Sequence, residues 1–245
     1  MAIKKKTVII VAVIIAFLGI IGVGSGYTVY LRVMAPNVAV QEDVSLYVKP
    51  TFNLDSILVQ TQKLQLFKNE GSFEWWANRQ NLGNHLTAGR YVITPGMSNR
   101  AIVNLLMSGR QTPVNVTFNN IRTKADFAGR IGEQLIADSS DFVAYFDSSA
   151  YFSTLGLNKD NFMTIFIPNT YELYWNTDAE GFVKRMAKEH DNFWTQARRD
   201  KAKKIELSPE EVYILASIVY SENDKAADEA PRIAGVYMNR INKGM

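Results

Sequence analysis

Thr7 to Leu31 reads TVIIVAVIIAFLGIIGVGSGYTVYL, 25 residues without a charge, with Lys4-Lys5-Lys6 before it and Arg32 directly after it. At about 1.5 Å per residue such a helix reaches roughly 37 Å, enough to cross a hydrocarbon core of about 30 Å with some tilt. Backbone polar groups in lipid must be paired within the segment, so a helix is the state expected of it. Three lysines before the span against one arginine after it predict a cytoplasmic tail at residues 1–6, a spanning helix at 7–31 and an exported remainder. A cleaved leader competes with this reading, because Gly24-Ser25-Gly26 and Met34-Ala35 offer small residues, but its apolar core would be shorter. A buried helix of a soluble domain would carry a polar face over such a length.

Composition narrows the exported part. The 245-residue chain is 47% hydrophobic and 21% charged, the balance of a folded protein. It contains no cysteine, which excludes disulfides, thiolate nucleophiles and cysteine-held metals. His85 and His190 are its two histidines, too few for a His-rich zinc site and poor support for a Ser-His-Asp triad. No metal or cofactor is expected. The net charge of +3 owes part of its value to the N-terminal lysines. The basic run at residues 198–204 lacks interleaved aromatics, so it reads as a solvated helix face and no nucleic-acid partner is expected.

Along the exported part the periodicity alternates between strand and helix, predicting an α+β fold. APNVAVQED (35–43) reads as a linker, and the whole of 32–44 is assigned to it. SLYVK (45–49) alternates as a strand until Pro50. Asn53 caps a helix with Leu54, Ile57, Leu58, Thr61 and Leu64 at helical spacing, and Phe73-Glu74-Trp75-Trp76 begins another. AGRYVI (88–93) is a strand closed by Pro95-Gly96. Ser98 caps a helix bearing Ile102, Val103, Leu105 and Leu106, which Gly109 stops. This makes one small α+β module. A second begins near Pro113 with the strand PVNVTFN, followed by a helix from Thr123 and a short one capped by Ser140. FMTIFIPNTYELY (162–174), broken by Pro168, reads as strand and loop. Asp178 caps a long amphipathic helix through about Lys204, with Phe182, Met186, Phe193 and Trp194 on its apolar side.

The segment SPEEVYILASIVYSE (208–222) is the most informative chemically. Ser208 and Glu211 have capping-box spacing, and Pro209 stands at the first helical position, where its missing N–H costs nothing. Leu215, Ile218 and Val219 mark the apolar stripe, and Glu222 continues it, predicting a carboxyl turned inward. Such a group tends to hold its proton, as a general acid must near neutral pH. The plainer alternative ends the helix at about Tyr220 and leaves Glu222 solvated. After the polar stretch Asp224–Asp228, Pro231 opens a helix, PRIAGVYMNRINKG, with Ile233, Val236, Tyr237 and Ile241 at helical spacing. Asn239 and Arg240 near its end could bind sugar hydroxyls or a carboxylate, or serve as ordinary surface.

ILASIVYSEN (214–223) followed by PRIAGVYMNRINKGM (231–245), with LTAGRYVITPGMSNRAIVNLLMSGRQTPVNVTF (86–118) and IFIPNTY (165–171) upstream, resembles the MltG or YceG-like endolytic transglycosylases. The "PRIAGVYMNR" form looks like members from Bacteroidetes-type bacteria. The resemblance implies an inner-membrane enzyme with its catalytic part in the periplasm. Its expected reaction cuts the bond between N-acetylmuramic acid and N-acetylglucosamine in peptidoglycan and leaves 1,6-anhydro ends without metal or water. It places the catalytic glutamate at Glu222 and makes Thr170, Tyr171, Asn239 and Arg240 sugar-holding candidates. The sequence departs from the family at Tyr220, where an acidic residue is usual, and at Met163-Thr164, in place of a Glu-Gly pair. The resemblance further implies a LysM-like subdomain at 45–110 and a catalytic domain at 111–245. It also implies glycan strands and the inner membrane as partners, with peptidoglycan synthases as candidate protein partners. The family continues with a "LQ-x-DPTV"-like stretch beyond the position of Met245, so a piece of a longer protein is expected. A non-catalytic wall-binding scaffold and a lysozyme-like hydrolase are the competing functions.

Overall fold

A computed structural model describes residues 5–119, 121–148, 150–222 and 229–244. The polar stretch expected at Asp224–Asp228 lies outside them. Helix α1, Lys5–Met34, runs unbroken, and its side chains from Ile10 to Arg32 are exposed. Ile10–Met34 is a helix long and apolar enough to cross a membrane. Its Ile, Val, Leu and Phe side chains from Ile10 to Leu31 are exposed, which is the surface a lipid solvent requires.

Beyond α1 the chain divides into two compact units. The first comprises Met1–Val114 with Glu172–Asn176, the second Asn115–Tyr171 with Thr177–Met245. In the first, β1 (Val44–Val48) is followed by α2 (Leu54–Lys63), α3 (Glu70–Arg79), a 3-10 turn at Leu82–Asn84, β2 (Gly89–Ile93) and α4 (Asn99–Ser108). Strands β1 and β2 pair antiparallel, with Leu46 opposite Tyr91 and Val48 opposite Gly89. Alternation along each strand turns Leu46, Val48, Tyr91 and Ile93 onto one buried face. Ile57, Phe73, Ala77, Ile102, Val103 and Leu106 from the helices complete that core. The expected order of elements is therefore found, and so are the caps. Asn53 accepts from the Ser56 N–H in a capping box, and Ser98 accepts from the Ala101 N–H.

The stretch expected to be a linker is bonded into this unit. Pro36 bridges Ser98 and Val38 bridges Phe67, while the Ala39 N–H donates to the Leu66 carbonyl at 2.8 Å. Val38 is buried in the core. Its alternation with Pro36 and Val40 is too short to announce a strand, so composition alone misleads there.

In the second unit, β3 (Val114–Phe118) leads to α5 (Lys124–Gly132), α6 (Ser139–Ser148), α7 (Tyr151–Thr154), a 3-10 turn at Phe162–Ile165 and β4 (Asn169–Leu173). Helices α8 (Ala179–Phe193), α9 (Gln196–Lys204), α10 (Pro209–Glu222) and α11 (Ala230–Asn242) follow. Strands β3 and β4 form a two-stranded sheet. The interior is a cluster of phenylalanines. Phe182 of α8 meets Phe118, Phe127, Phe142 and Phe166 with ring centroids between 5.5 and 6.3 Å.

Two boundaries differ from expectation. The short helix after α5 is capped by Asp138, whose Oδ1 accepts from the Ser140 and Asp141 N–H groups, because Asp138 precedes its first turn and Ser140 already lies inside it. The helix from Asp178 ends at Phe193, and Thr195 caps a separate α9 by accepting from the Arg198 N–H. A local Thr cap competes with helix continuation, and the strong helix formers in QARRDKAKK on its far side conceal the break. Phe182, Met186 and Trp194 are buried, whereas Phe193 is exposed under the Arg198 guanidinium, 4.1 Å from its ring centre.

Because Phe182 is fully buried at the centre of the ring cluster, Phe182→Ala is expected to cost about 3–5 kcal/mol. Urea unfolding followed by tryptophan fluorescence measures it; a loss below about 1 kcal/mol would mean the cluster collapses around the gap.

Candidate active site

The site is built on α10. At its start Ser208 and Glu211 cap each other: the Ser208 N–H donates to Glu211 Oε2 at 2.7 Å and the Glu211 N–H donates to Ser208 Oγ at 3.2 Å. The expected capping box is present, and it spends Glu211 on structure. One turn later the Tyr213 hydroxyl donates to the Phe166 carbonyl at 3.1 Å, tying α10 to the chain just before β4. Burial pushes the Tyr213 phenol up.

Cover thins along the helix. Leu215, Ile218 and Val219 are half-buried, as the stripe predicted, but Ser217, Tyr220 and Glu222 are exposed. The helix does reach Glu222, its last residue, rather than stopping at Tyr220. The inward orientation expected for that carboxyl is not found. Glu222 continues a stripe that is itself only half covered, and no described residue of α10 or α11 is fully buried. Its neighbour is Tyr237 of α11, whose hydroxyl donates to Glu222 Oε1 at 3.4 Å. The Arg240 guanidinium lies over the Tyr237 ring, 5.4 Å from its centre. Glu222, Tyr237 and Arg240 thus form one chain of contacts. Asn239 is exposed beside them on α11.

Thr170 and Tyr171 lie on β4 with different surroundings. Thr170 is exposed, and its Oγ1 shares a 2.8 Å hydrogen bond with Thr117 Oγ1 on β3. Thr117 is itself held by Gln134, which accepts from its N–H at 2.9 Å and donates to its carbonyl at 3.2 Å. Tyr171 is buried, stacked on Phe118 with centroids 5.5 Å apart, and its hydroxyl donates to the Ile167 carbonyl at 2.6 Å. That hydroxyl is committed to the backbone. Burial first, then the nearby Glu189 carboxylate and Tyr213, push its pKa up to about 12, with Arg185 opposing.

A profile of the YceG-like family matches residues 46–245. The chain belongs to the YceG-like family. This family is associated with lytic transglycosylase activity. Among solved structures, a crystal structure of a yceG-like protein from Listeria monocytogenes is similar to this chain at 19% identity and a TM-score of 0.46. The match covers 84% of this YceG-like chain and 72% of the other. A search of curated proteins found no match.

Sequence reasoning about this YceG-like chain singled out Glu222 but missed two partners. Helical spacing marks Tyr237 as an apolar position, but a tyrosine there also carries a hydroxyl that needs a partner, and that is the available signal. Thr117 fell on the polar alternate of its strand, and nothing local pairs it with Thr170.

The buried Tyr171 sets a pH dependence. Its phenol ionises near pH 10 in the unfolded chain and at about 12 in the folded one. Between those values the unfolded state binds fewer protons, so the stability held below pH 10 is lost as pH rises towards about 12. Tyr171→Phe is expected to lose less stability than the native chain across that window. Parallel urea titrations at pH 9 and above check it, and identical slopes would refute the assignment.

Proposed function

We propose that this YceG-like protein is a membrane-anchored lytic transglycosylase that cleaves glycan strands of peptidoglycan from the periplasmic side of the inner membrane. The family match running through Glu222, the carboxyl that closes α10 against the Tyr237 hydroxyl, carries the reading. In this assignment residues 45–110 are the LysM-like subdomain, a role compatible with the strand and helix order of the first unit, and 111–245 the catalytic domain.

Protonated Glu222 donates to the glycosidic oxygen between N-acetylmuramic acid and N-acetylglucosamine as the bond breaks through an oxocarbenium-like state. The resulting carboxylate takes the proton from the 6-hydroxyl of the same muramoyl residue as that oxygen attacks C1. The products are a 1,6-anhydro end and a free 4-hydroxyl, with no water consumed. Because the nucleophile belongs to the reacting sugar, proximity replaces a second carboxylate. Glu222 is exposed in the free chain, so a glycan laid across the ends of α10 and α11 is what shields the reacting carboxyl from water. The Tyr237 hydroxyl orients the carboxylate and stabilises its ionised form after proton transfer. Thr170, Asn239 and Arg240 offer hydroxyl, amide and guanidinium groups to the strand, and peptidoglycan synthases are the expected protein partners. Tyr171 contributes by fixing β4.

The exposure of Glu222 also favours a second reading, a non-catalytic wall-binding scaffold. One digest separates them. Purified peptidoglycan incubated with the membrane-embedded chain is expected to release anhydro-muropeptides by mass spectrometry. Glu222→Gln is expected to lower that release by at least about 100-fold with an unchanged circular dichroism spectrum. Glycan retention without new ends supports the scaffold, and products heavier by one water identify a hydrolase.

A further inference from the structure

Helix α1 does not end in a tether. The Asn99 Nδ2 group, at the first residue of α4, donates to the Arg32 carbonyl in the last turn of α1 at 2.7 Å and to Ser72 Oγ of α3 at 2.9 Å. Asn37 Nδ2 donates to Asn99 Oδ1 at 2.8 Å and to the Asn69 carbonyl at 2.9 Å, and Asn37 Oδ1 accepts from the Asn69 N–H at 2.9 Å. Asn99 is fully buried, and Asn37 and Ser72 are nearly so. Val33 in the same last turn is buried as well.

The last carbonyls of a helix have no partner within it. At a membrane exit, water or headgroups commonly satisfy them. Here a buried side-chain amide carried on α4 does so, and that amide is also bonded to α3 and to the chain after α1. Three neighbouring side chains share one closed network, so α1 cannot swivel without leaving buried polar groups unpaired. The outer part of α1 meanwhile carries exposed Tyr27 and Tyr30, the side chains favoured at a bilayer interface. Arg32 and Arg100 are exposed beside the network, with Arg100 Nη1 3.9 Å from Met34 Sδ. Lys68, whose backbone N–H donates to the Asn37 carbonyl at 2.8 Å, adds a third cation, and Glu70 stands two residues on in the first turn of α3.

We propose that the first unit is clamped to the spanning helix through Asn37, Ser72 and Asn99, and so rests on the phospholipid headgroup layer through the first turns of α3 and α4. The partner surface is the bilayer itself, with Arg32, Lys68 and Arg100 facing lipid phosphates. An unclamped unit would sample a range of heights and tilts on a flexible linker; a clamped one holds a single height. The inference rests on α1 being a membrane span.

The absence of cysteine permits clean single-site labelling. Spin labels are placed one at a time at Ile20, in the middle of α1, and at Gly71, in the first turn of α3, with the full chain in vesicles of phosphatidylethanolamine and phosphatidylglycerol. Power saturation is expected to place Ile20 in hydrocarbon and Gly71 in the headgroup layer. A paired label at Tyr30 and Lys63 is expected to give one narrow distance distribution, broadened by Asn99→Ala and by the milder Asn37→Ser. Ile20 in hydrocarbon with Gly71 freely accessible to an aqueous nickel complex overturns the clamp while leaving the span intact. A broad Tyr30–Lys63 distribution with Asn37, Ser72 and Asn99 intact overturns it too. Ile20 outside hydrocarbon overturns the membrane reading and the clamp with it.

Discussion

The hydrogen bond from the Asn99 amide to the Arg32 carbonyl joins two solvents' worth of structure. On one side is a helix whose side chains from Ile10 to Arg32 are exposed and suited to lipid; on the other are strands and helices packed round a hydrophobic core. A helix end is the weakest point of any span, because its carbonyls lose their partners there. Buried Asn99 removes that weakness by donating to one of those carbonyls while receiving from Asn37. The short segment after α1 is then drawn along the unit, with Val38 in its core.

The second unit solves its stability differently. With no disulfide available, it packs phenylalanines from β3, α5, α6, α8 and the Phe162–Ile165 turn around one another. Large rings bury much apolar area per residue, and their edge-to-face contacts fix relative orientation. Helix α10 attaches to this mass at its first turns, through Tyr213 and the Phe166 carbonyl. Its far end projects from that attachment, and Glu222 stands on the projecting part.

This placement fits the chemistry proposed for the carboxyl. A general acid that must meet a polymer cannot be enclosed before the polymer arrives, and an exposed helix end admits a strand sideways. In the proposed mechanism the substrate supplies desolvation, and the Tyr237 hydroxyl, with Arg240 over its ring, is the group placed to orient the carboxyl. The pair of threonines shows a similar division: Thr170 is exposed, while the half-buried Thr117 it bonds is held by Gln134.

Periodicity, caps and charge were enough to read the spanning helix, the strand and helix order of the first unit and the Ser208–Glu211 box, because each depends on residues within a turn or two of one another. The break between α8 and α9 escaped, since the residues after Thr195 are themselves good helix formers and a single Thr cap between two helical stretches is easily read through. The position of Glu222 at the end of the α10 stripe was legible, but its exposure was not: spacing says which side of a helix a residue occupies, and only the packing of other elements decides whether that side is covered. The same holds for Asn37, Asn99 and Tyr237, whose partners lie 62 and 67 residues away for the asparagine amides and 15 for the tyrosine hydroxyl. Contacts at such separations are set by how the chain closes on itself, which no local pattern records.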